Sequence, residues 1–224
     1  MRFGSAKIKK IREAFKNTIP VLMGYVVLGI GFGVLLSSKG YNFLWALLMC
    51  LVIYSGTMQY VAVDLISAPA SLTMSALTAL MMGARHVFYG ISMAKKYEGA
   101  GIKKLYLIYA LTDETYSLVC KSDDIEYDFY VSLLDHLYWT FGSVTGAVLG
   151  FIIPFNPKGI DFSLTALFIT ICVDQWLNNT DHKPALIGVA ASVFSLIIFG
   201  RGNFLIPAMI LIVIALFAIK NKND

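Results

Sequence analysis

The sequence predicts an all-α polytopic membrane protein: about seven transmembrane helices plus a re-entrant or broken helical hairpin. Three observations predict it. Apolar residues make up 58% of the chain and charged residues 14%, with a mean hydropathy of +0.71, a balance unsuited to a water-facing surface. The apolar residues fall in long runs broken by short polar loops, and a span needs roughly 17 to 25 such residues. Lipid-exposed backbone must satisfy its own hydrogen bonds, so the runs read as helices. The net charge of +4 comes from two basic blocks flanking apolar runs. It does not come from basic and aromatic residues interleaved on a groove, so nucleic acid is not the expected partner.

The first block, MRFGSAKIKKIREAFK, has six basic residues against Glu13 and precedes the apolar run Thr18 to Ser37. A signal peptide would have a shorter apolar core and a small-residue cleavage site. Residues 1–17 are therefore a basic cytoplasmic segment leading into an uncleaved first span. Further apolar segments run Phe43 to Ile66, Leu72 to Ala94, Leu105 to Cys120, Val131 to Ile153, Phe162 to Trp176, Ala185 to Phe199 and Phe204 to Ile219. No soluble domain separates them, so residues 1–224 form a single transmembrane domain. Cys50, Cys120 and Cys172 lie far apart without metal-ligand spacing and read as buried thiols. Trp45, Trp139 and Trp176 read as interface anchors.

Orientation is the informative problem. The second basic block, KKYEGAGIKK from Lys95 to Lys104, belongs in the cytoplasm, whereas KSDDIEYD, with four acids to one base, tolerates the outside. Counting simple spans from the first run puts the tetrabasic loop outside. The conflict disappears if Leu72 to Ala94 is a re-entrant hairpin turning at Gly83-Ala84-Arg85-His86. The segment Val131 to Ile153 then runs opposite to the first span. At one constant offset, Gly31, Lys39, Gly40 and Phe43 fall on Gly150, Lys158, Gly159 and Phe162. This faint likeness points to an inverted repeat with halves 18–100 and 131–220, an architecture common among secondary transporters. Glycines 24, 29, 31 and 33, and 142, 146 and 150, permit close helix packing.

Binding sites in such folds form where helices are interrupted. Interruptions are expected at Ser55-Gly56-Thr57 and at Gly83 to His86, with Asp174 matching Ser55 in the second half. Arg85 is the costliest residue, since a guanidinium in lipid costs roughly 2.5 to 3.5 kcal/mol on insertion scales. It either snorkels or pairs structurally, or it holds a carboxylate, a substrate's or that of Asp113 or Glu114. His86 either sits in a structural hydrogen bond or carries a proton. On a helix, Tyr109, Thr112, Asp113 and Tyr116 line one face, while adjacent Asp113 and Glu114 diverge by about 100° and cannot form a carboxylate dyad. Gln59, four residues after Ser55, either joins helices or lines the site. Asp64, Asp135, His136 and Asp174 lie near expected membrane borders and read as wet interfacial groups. No catalytic constellation, metal cluster, phosphate loop or nucleophile turn is present in the sequence, so neither an enzyme nor a cofactor is expected.

Four phrases in order, AFKNTIPVLMGYVVLGIGFGVLL, YSGTMQYVAVDLI, MMGARHVFYGISM and LTDETYSL, resemble the AzlC family, the large subunit of two-component branched-chain amino acid exporters. The likeness covers Ala14 to Leu118 and continues loosely through the glycine-rich fifth segment. Gly83 departs from the pattern, in which asparagine is common, so no side-chain ligand is expected there. The resemblance implies a multi-pass permease of a prokaryotic cytoplasmic membrane that exports branched-chain or related hydrophobic amino acids, with a small hydrophobic AzlD-like partner. A zwitterionic substrate needs a cation or helix N-terminus for its carboxylate, an acceptor for its ammonium and an apolar pocket for its tail. Substrate contacts are expected from Ser55, Gly56, Gln59, Arg85 and Thr112, and ion coupling, to protons first, from His86, Asp113, Glu114 and Asp174. A passive facilitator and a non-catalytic membrane scaffold are the rival classes.

Overall fold

A computed structural model describes residues 2–67, 71–153 and 180–223, together with 162, 165, 166, 169, 172, 173, 176 and 177. It divides into two compact units, Met1–Leu164 and Thr165–Asp224. In the second, α8 (Lys183–Asn203) bends at Gly200, whose φ is 70°, and pairs with α9 (Leu205–Asn223).

The first unit is built on two parallel helices, α1 (Arg2–Ser38) and α7 (Ile125–Ile152). Gly142 lies against Val26, Gly146 against Ile30 and Gly150 against Val34, so the two sequences climb together, four residues at a time. A Cβ on Gly33 or Gly146 would land on the other helix's backbone, whereas one on Gly24 would meet nothing. This is the close small-residue approach that replaces the hydrophobic effect as the packing force between helices in lipid. At the basic end Lys10 Nζ lies 2.8 Å from Asp124 and 3.0 Å from Glu126. Asp124 also caps α7, accepting from the amides of Glu126 and Tyr127.

Between these helices lie α2 (Phe43–Val52), α3 (Gly56–Ser67), α4 (Leu72–Ala94), α5 (Lys103–Tyr109) and α6 (Asp113–Val119). α2 starts beyond the far end of α1, capped by Asn42, and its last turn reaches back to His136 Nε2, 3.1 Å from the Cys50 carbonyl. The chain breaks at Ile53 to Ser55 and α3 retraces the path: Tyr60 Oη donates to the Leu28 carbonyl at 2.8 Å, and Tyr41 Oη closes the mouth on the Ile66 carbonyl at 3.2 Å. Residues 43–67 are thus a hairpin entering from the end of α1 opposite its basic segment. α4 then runs antiparallel to α1, bringing Met93 and Tyr97 into one core with Ala14, Val119 and Val131. From that end α5 enters, breaks at Ala110 to Thr112, and returns as α6 until Lys96 Nζ meets the Val119 carbonyl at 2.5 Å. The tips of the two hairpins touch where Tyr109 Oη donates to the Leu51 carbonyl at 2.9 Å.

Three expectations are corrected here. Residues 72–94 do not turn at Gly83 to His86. They form one helix of 23 residues, capped by the Ser71 side chain, because one glycine among leucine, methionine and alanine costs only about 1 kcal/mol and breaks nothing. The segments expected to cross, Phe43 to Ile66 and Leu105 to Cys120, are the ones that double back. α7 runs parallel to α1, so the glycine likeness links two helices of the same sense, and Lys158, Gly159 and Asp174 lie outside the described residues. The pattern that does invert is a long helix followed by a broken hairpin, α1–α3 and then α4–α6. The basic loop Lys95 to Lys104 still falls at the basic end of α1: Lys96 Nζ lies 2.6 Å from Asp128 in α7's first turn.

Large apolar side chains point outward, including Val27 (67% exposed), Phe141 (65%) and Ile197 (78%). That is the arrangement a lipid surround requires. Trp139 is no interface anchor but a core residue at 4% exposure, and of the three cysteines Cys50 is buried while Cys172 is exposed.

Candidate functional site

The two breaks and the middle of α4 meet at Arg85. Its Nη1 pairs with Asp113 Oδ2 at 2.5 Å, and its Nη2 donates to Thr57 Oγ1 at 3.1 Å. One guanidinium therefore joins α4 to the first turns of both α3 and α6. Tyr89 Oη donates to the other Asp113 oxygen at 2.5 Å. The Arg85 side chain is 34% exposed and that of Asp113 33%, so the pair is sheltered without being sealed.

On the other face of α4, the first hairpin tip, α4 and α5 frame an open pocket of about 650 Å³, of which Arg85 and Asp113 are not lining residues. Ile53, Met58, Val87, Ile91 and Ile108 make its wall apolar, and Ser55, His86 and Tyr109 are its polar points. Gly83, one turn from Val87, opens part of this wall, since a Cβ there meets no atom within 4 Å. Such a space, apolar with a few polar groups at one side, suits a small amphipathic ligand.

Of the residues expected to contact substrate, Ser55 sits in the first break and lines the cavity. Gly56 opens α3 under the Trp139 ring, which a Cβ would strike at 2.8 Å. Gln59 is fully buried, its Oε1 accepting from Trp139 Nε1 at 2.6 Å, while its Nε2 has no partner. Thr112 caps α6, accepting from the Thr115 amide at 3.2 Å. Ser55 thus lines the pocket and Arg85 lies outside its lining, while Gln59 and Thr112 face the protein interior. Of the residues expected to couple ions, His86 lines the cavity, Asp113 holds Arg85, and Glu114 accepts from Tyr25 Oη at 2.8 Å. Asp174 lies outside the described residues.

Asp135 and His136 were expected at a wet border, and the structure moves both inside. Asp135 is 0% and His136 9% exposed. The ring of His136 sits between Tyr106 Oη at 3.1 Å and the Cys50 carbonyl at 3.1 Å. Asp135 Oδ2 accepts from Thr115 Oγ1 at 2.7 Å, and its Oδ1 has no partner. Thr115 in turn accepts from Thr112 Oγ1 at 3.0 Å, and Thr112 lies 2.6 Å from Tyr25 Oη. The sequence held the signal: Asp128, Ser132, Asp135, Trp139, Gly142 and Gly146 recur at helical spacing on one face of α7, and all are buried.

The profile of the family described as AzlC protein matches residues 20–153. The chain is 40% identical to the "Branched-chain amino acid transport protein AzlC" of Bacillus subtilis (strain 168), across 95% of this chain and 86% of that one. It is 38% identical to an uncharacterized membrane protein of Helicobacter pylori (strain J99), across 97% and 98%. It is 28% identical to the inner membrane protein YgaZ of Escherichia coli (strain K12), across 89% and 84%. No solved structure matches.

Proposed function

The chain belongs to the AzlC family, and from that premise we propose that it exports branched-chain or related hydrophobic amino acids across a prokaryotic cytoplasmic membrane, driven by protons. The observation that carries the proposal is the guanidinium of Arg85 joining the half-helix starts after both breaks, with an open apolar pocket of about 650 Å³ at the first hairpin tip on the other face of the same helix. An amino acid presents a carboxylate, an ammonium and an apolar tail. Arg85 and the hydroxyl of Thr57 supply donors for the carboxylate. The Asp113 carboxylate, released from Arg85 as the substrate's own carboxylate takes its place, supplies an acceptor for the ammonium. The Ile53, Val87, Ile91 and Ile108 walls accept the tail. Exchange of one carboxylate for another at a guanidinium keeps the half-buried cation paired throughout, which lowers the barrier to loading and release.

Membrane placement follows from charge. The N-terminal segment and the loop Lys95 to Lys104 share one end and face the cytoplasm under the positive-inside rule, which makes the chain multi-pass with α1, α4 and α7 crossing. The first hairpin then enters from outside and the second from the cytoplasm, so their touching tips divide the two aqueous sides near mid-membrane, as alternating access requires. An AzlD-like small hydrophobic subunit is the proposed partner. The test is counterflow of labelled leucine in liposomes, with and without that subunit and with and without a pH gradient. Accumulation driven by the gradient supports an exporter, equilibration alone makes the protein a facilitator, and absence of flux in every condition removes the proposal.

A further inference from the structure

We propose that Glu114 and Asp135 share a single proton, passed between them through the hydroxyls of Tyr25, Thr112 and Thr115, and that this line is the proton-coupling element of the transporter. The coupling half of this inference rests on the transport reading; the shared proton does not.

The five groups form an unbroken file. Glu114 Oε2 lies 2.8 Å from Tyr25 Oη, Tyr25 Oη 2.6 Å from Thr112 Oγ1, Thr112 Oγ1 3.0 Å from Thr115 Oγ1, and Thr115 Oγ1 2.7 Å from Asp135 Oδ2. All four gaps are hydrogen-bond distances, and each needs one hydrogen. The three hydroxyls bring three. With both carboxyls ionised, one gap would set two lone pairs face to face. One additional proton, on either carboxyl, fills all four gaps at once.

Either placement gives a complete file. With the proton on Glu114, its O–H donates to Tyr25, Tyr25 to Thr112, Thr112 to Thr115, and Thr115 to the Asp135 carboxylate. When the proton moves, the Glu114 O–H bond breaks, each hydroxyl passes its hydrogen forward while accepting the one behind, and an O–H bond forms on Asp135. Every hydroxyl ends neutral and reversed, and Glu114 is left as the carboxylate accepting from Tyr25. One proton has travelled and no other charge has moved.

The surroundings favour a resident proton. Asp135 is fully buried and its Oδ1 has no partner, and an isolated buried carboxylate is strongly disfavoured. The titratable groups facing it are Glu114 and the phenols of Tyr25, Tyr54, Tyr106 and Tyr138. None is a cation, and among the described residues the ion pairs of Arg85, Lys10 and Lys96 go to other acids. His136 is occupied by Tyr106 and Cys50. Glu114, half-buried, is the outer end. It adjoins Asp113, whose pairing with Arg85 a substrate carboxylate would disturb, so loading at the cavity and proton position meet at consecutive residues.

The test has two arms. Infrared spectra of the purified protein at neutral pH are expected to show a protonated-carboxyl stretch that is lost in Asp135→Asn and also in Glu114→Gln, because a carboxamide at either end supplies the fourth hydrogen itself. A band unchanged in both variants overturns the shared proton. In liposomes, Thr115→Val is expected to lose leucine flux driven by a pH gradient while keeping leucine counterflow, and Thr115→Ser to restore the driven flux. Driven flux retained in Thr115→Val, or both activities lost at an unchanged melting temperature, overturns the coupling role. Should that variant not fold, Tyr25→Phe interrupts the same file elsewhere and is judged by the same outcomes. An unaltered protein that shows the band but moves no leucine removes the transport reading and leaves the proton where it is.

Discussion

Arg85 and Asp113 lie 2.5 Å apart across the seam between an unbroken helix and the first residue of a half-helix. The pair fixes the second hairpin tip to α4, and Thr57 fixes the first tip to the same guanidinium. Arg85→Ala is expected to abolish leucine counterflow while membrane abundance stays near that of the parent. Asp113→Asn, which keeps a hydrogen-bond acceptor, should lose less. Because both side chains are about one-third exposed, their coupling in a double-mutant cycle on melting should be only on the order of 1 kcal/mol. A much larger coupling with unaltered transport would make the pair a structural clamp.

The glycine contact between α1 and α7 makes a prediction with its own control. Gly33→Ala drives a methyl into the backbone around Ser143 and Ala147, and Gly146→Ala does the same at Ile30. Overpacking of this kind costs about 1 to 3 kcal/mol, visible as a lower melting temperature in detergent and reduced membrane abundance. Gly24→Ala, on the same helix but facing open space, should leave both unchanged or slightly raised, since alanine is the better helix former.

How far these features were legible depended on which physical signal each left in the chain. The helical class and the glycine seam were legible because composition and small-residue spacing report packing directly. The need for one segment that does not cross was also legible, because the charge of Lys95 to Lys104 demanded it. Its location was misread: glycine in GARH looked like a turn, yet helix ends are set by caps, and Thr112 followed by Asp113 and Glu114 is a helix start inside LTDETYSL. Arg85 stood out by its cost in lipid. Tyr25 and Thr115 did not, because a single hydroxyl in an apolar run has no signature until its partner from another helix is known.

Site-directed labelling tests the two-hairpin arrangement. A cysteine placed at Lys104 should react with an impermeant reagent only from the cytoplasm, and one at Lys39, in the turn beside Gly40 (φ 87°), only from outside. Four crossings in place of two before α7 would leave Lys39 outside and put Lys104 there too. The result discriminates between the hairpins found here and a simple serpentine path.

The Lys10 clamp gives the pH dependence outside the membrane. Its hydrogen bonds to Asp124 and Glu126 hold both carboxyls below their ordinary range and raise the Lys10 ammonium above its own. A depressed carboxyl stabilises the fold above its unfolded value and loses that contribution as pH falls through the folded one. A raised lysine loses its contribution as pH climbs through the folded value. Melting temperature should therefore be level across neutral pH and drop below about pH 4. Lys10→Met should flatten the acid limb, and added salt should do the same, because the three groups are exposed enough to be screened.

Gly83 offers the sharpest reading of substrate choice. Its missing side chain contributes open space to the cavity wall, one turn from Val87 and two residues from Arg85. α4 is continuous through this position, so a larger residue extends the helix surface without bending it, and a better helix former stabilises it by about 1 kcal/mol. Gly83→Leu should then keep the melting temperature and take away room from the substrate tail. One methylene in an apolar pocket is worth about 1 to 3 kcal/mol of discrimination, so competition assays should show leucine and isoleucine falling behind valine and alanine by about tenfold or more. Uniform loss of all four would mean the residue blocks passage instead of sizing the tail, and unchanged ranking would move the tail site away from α4.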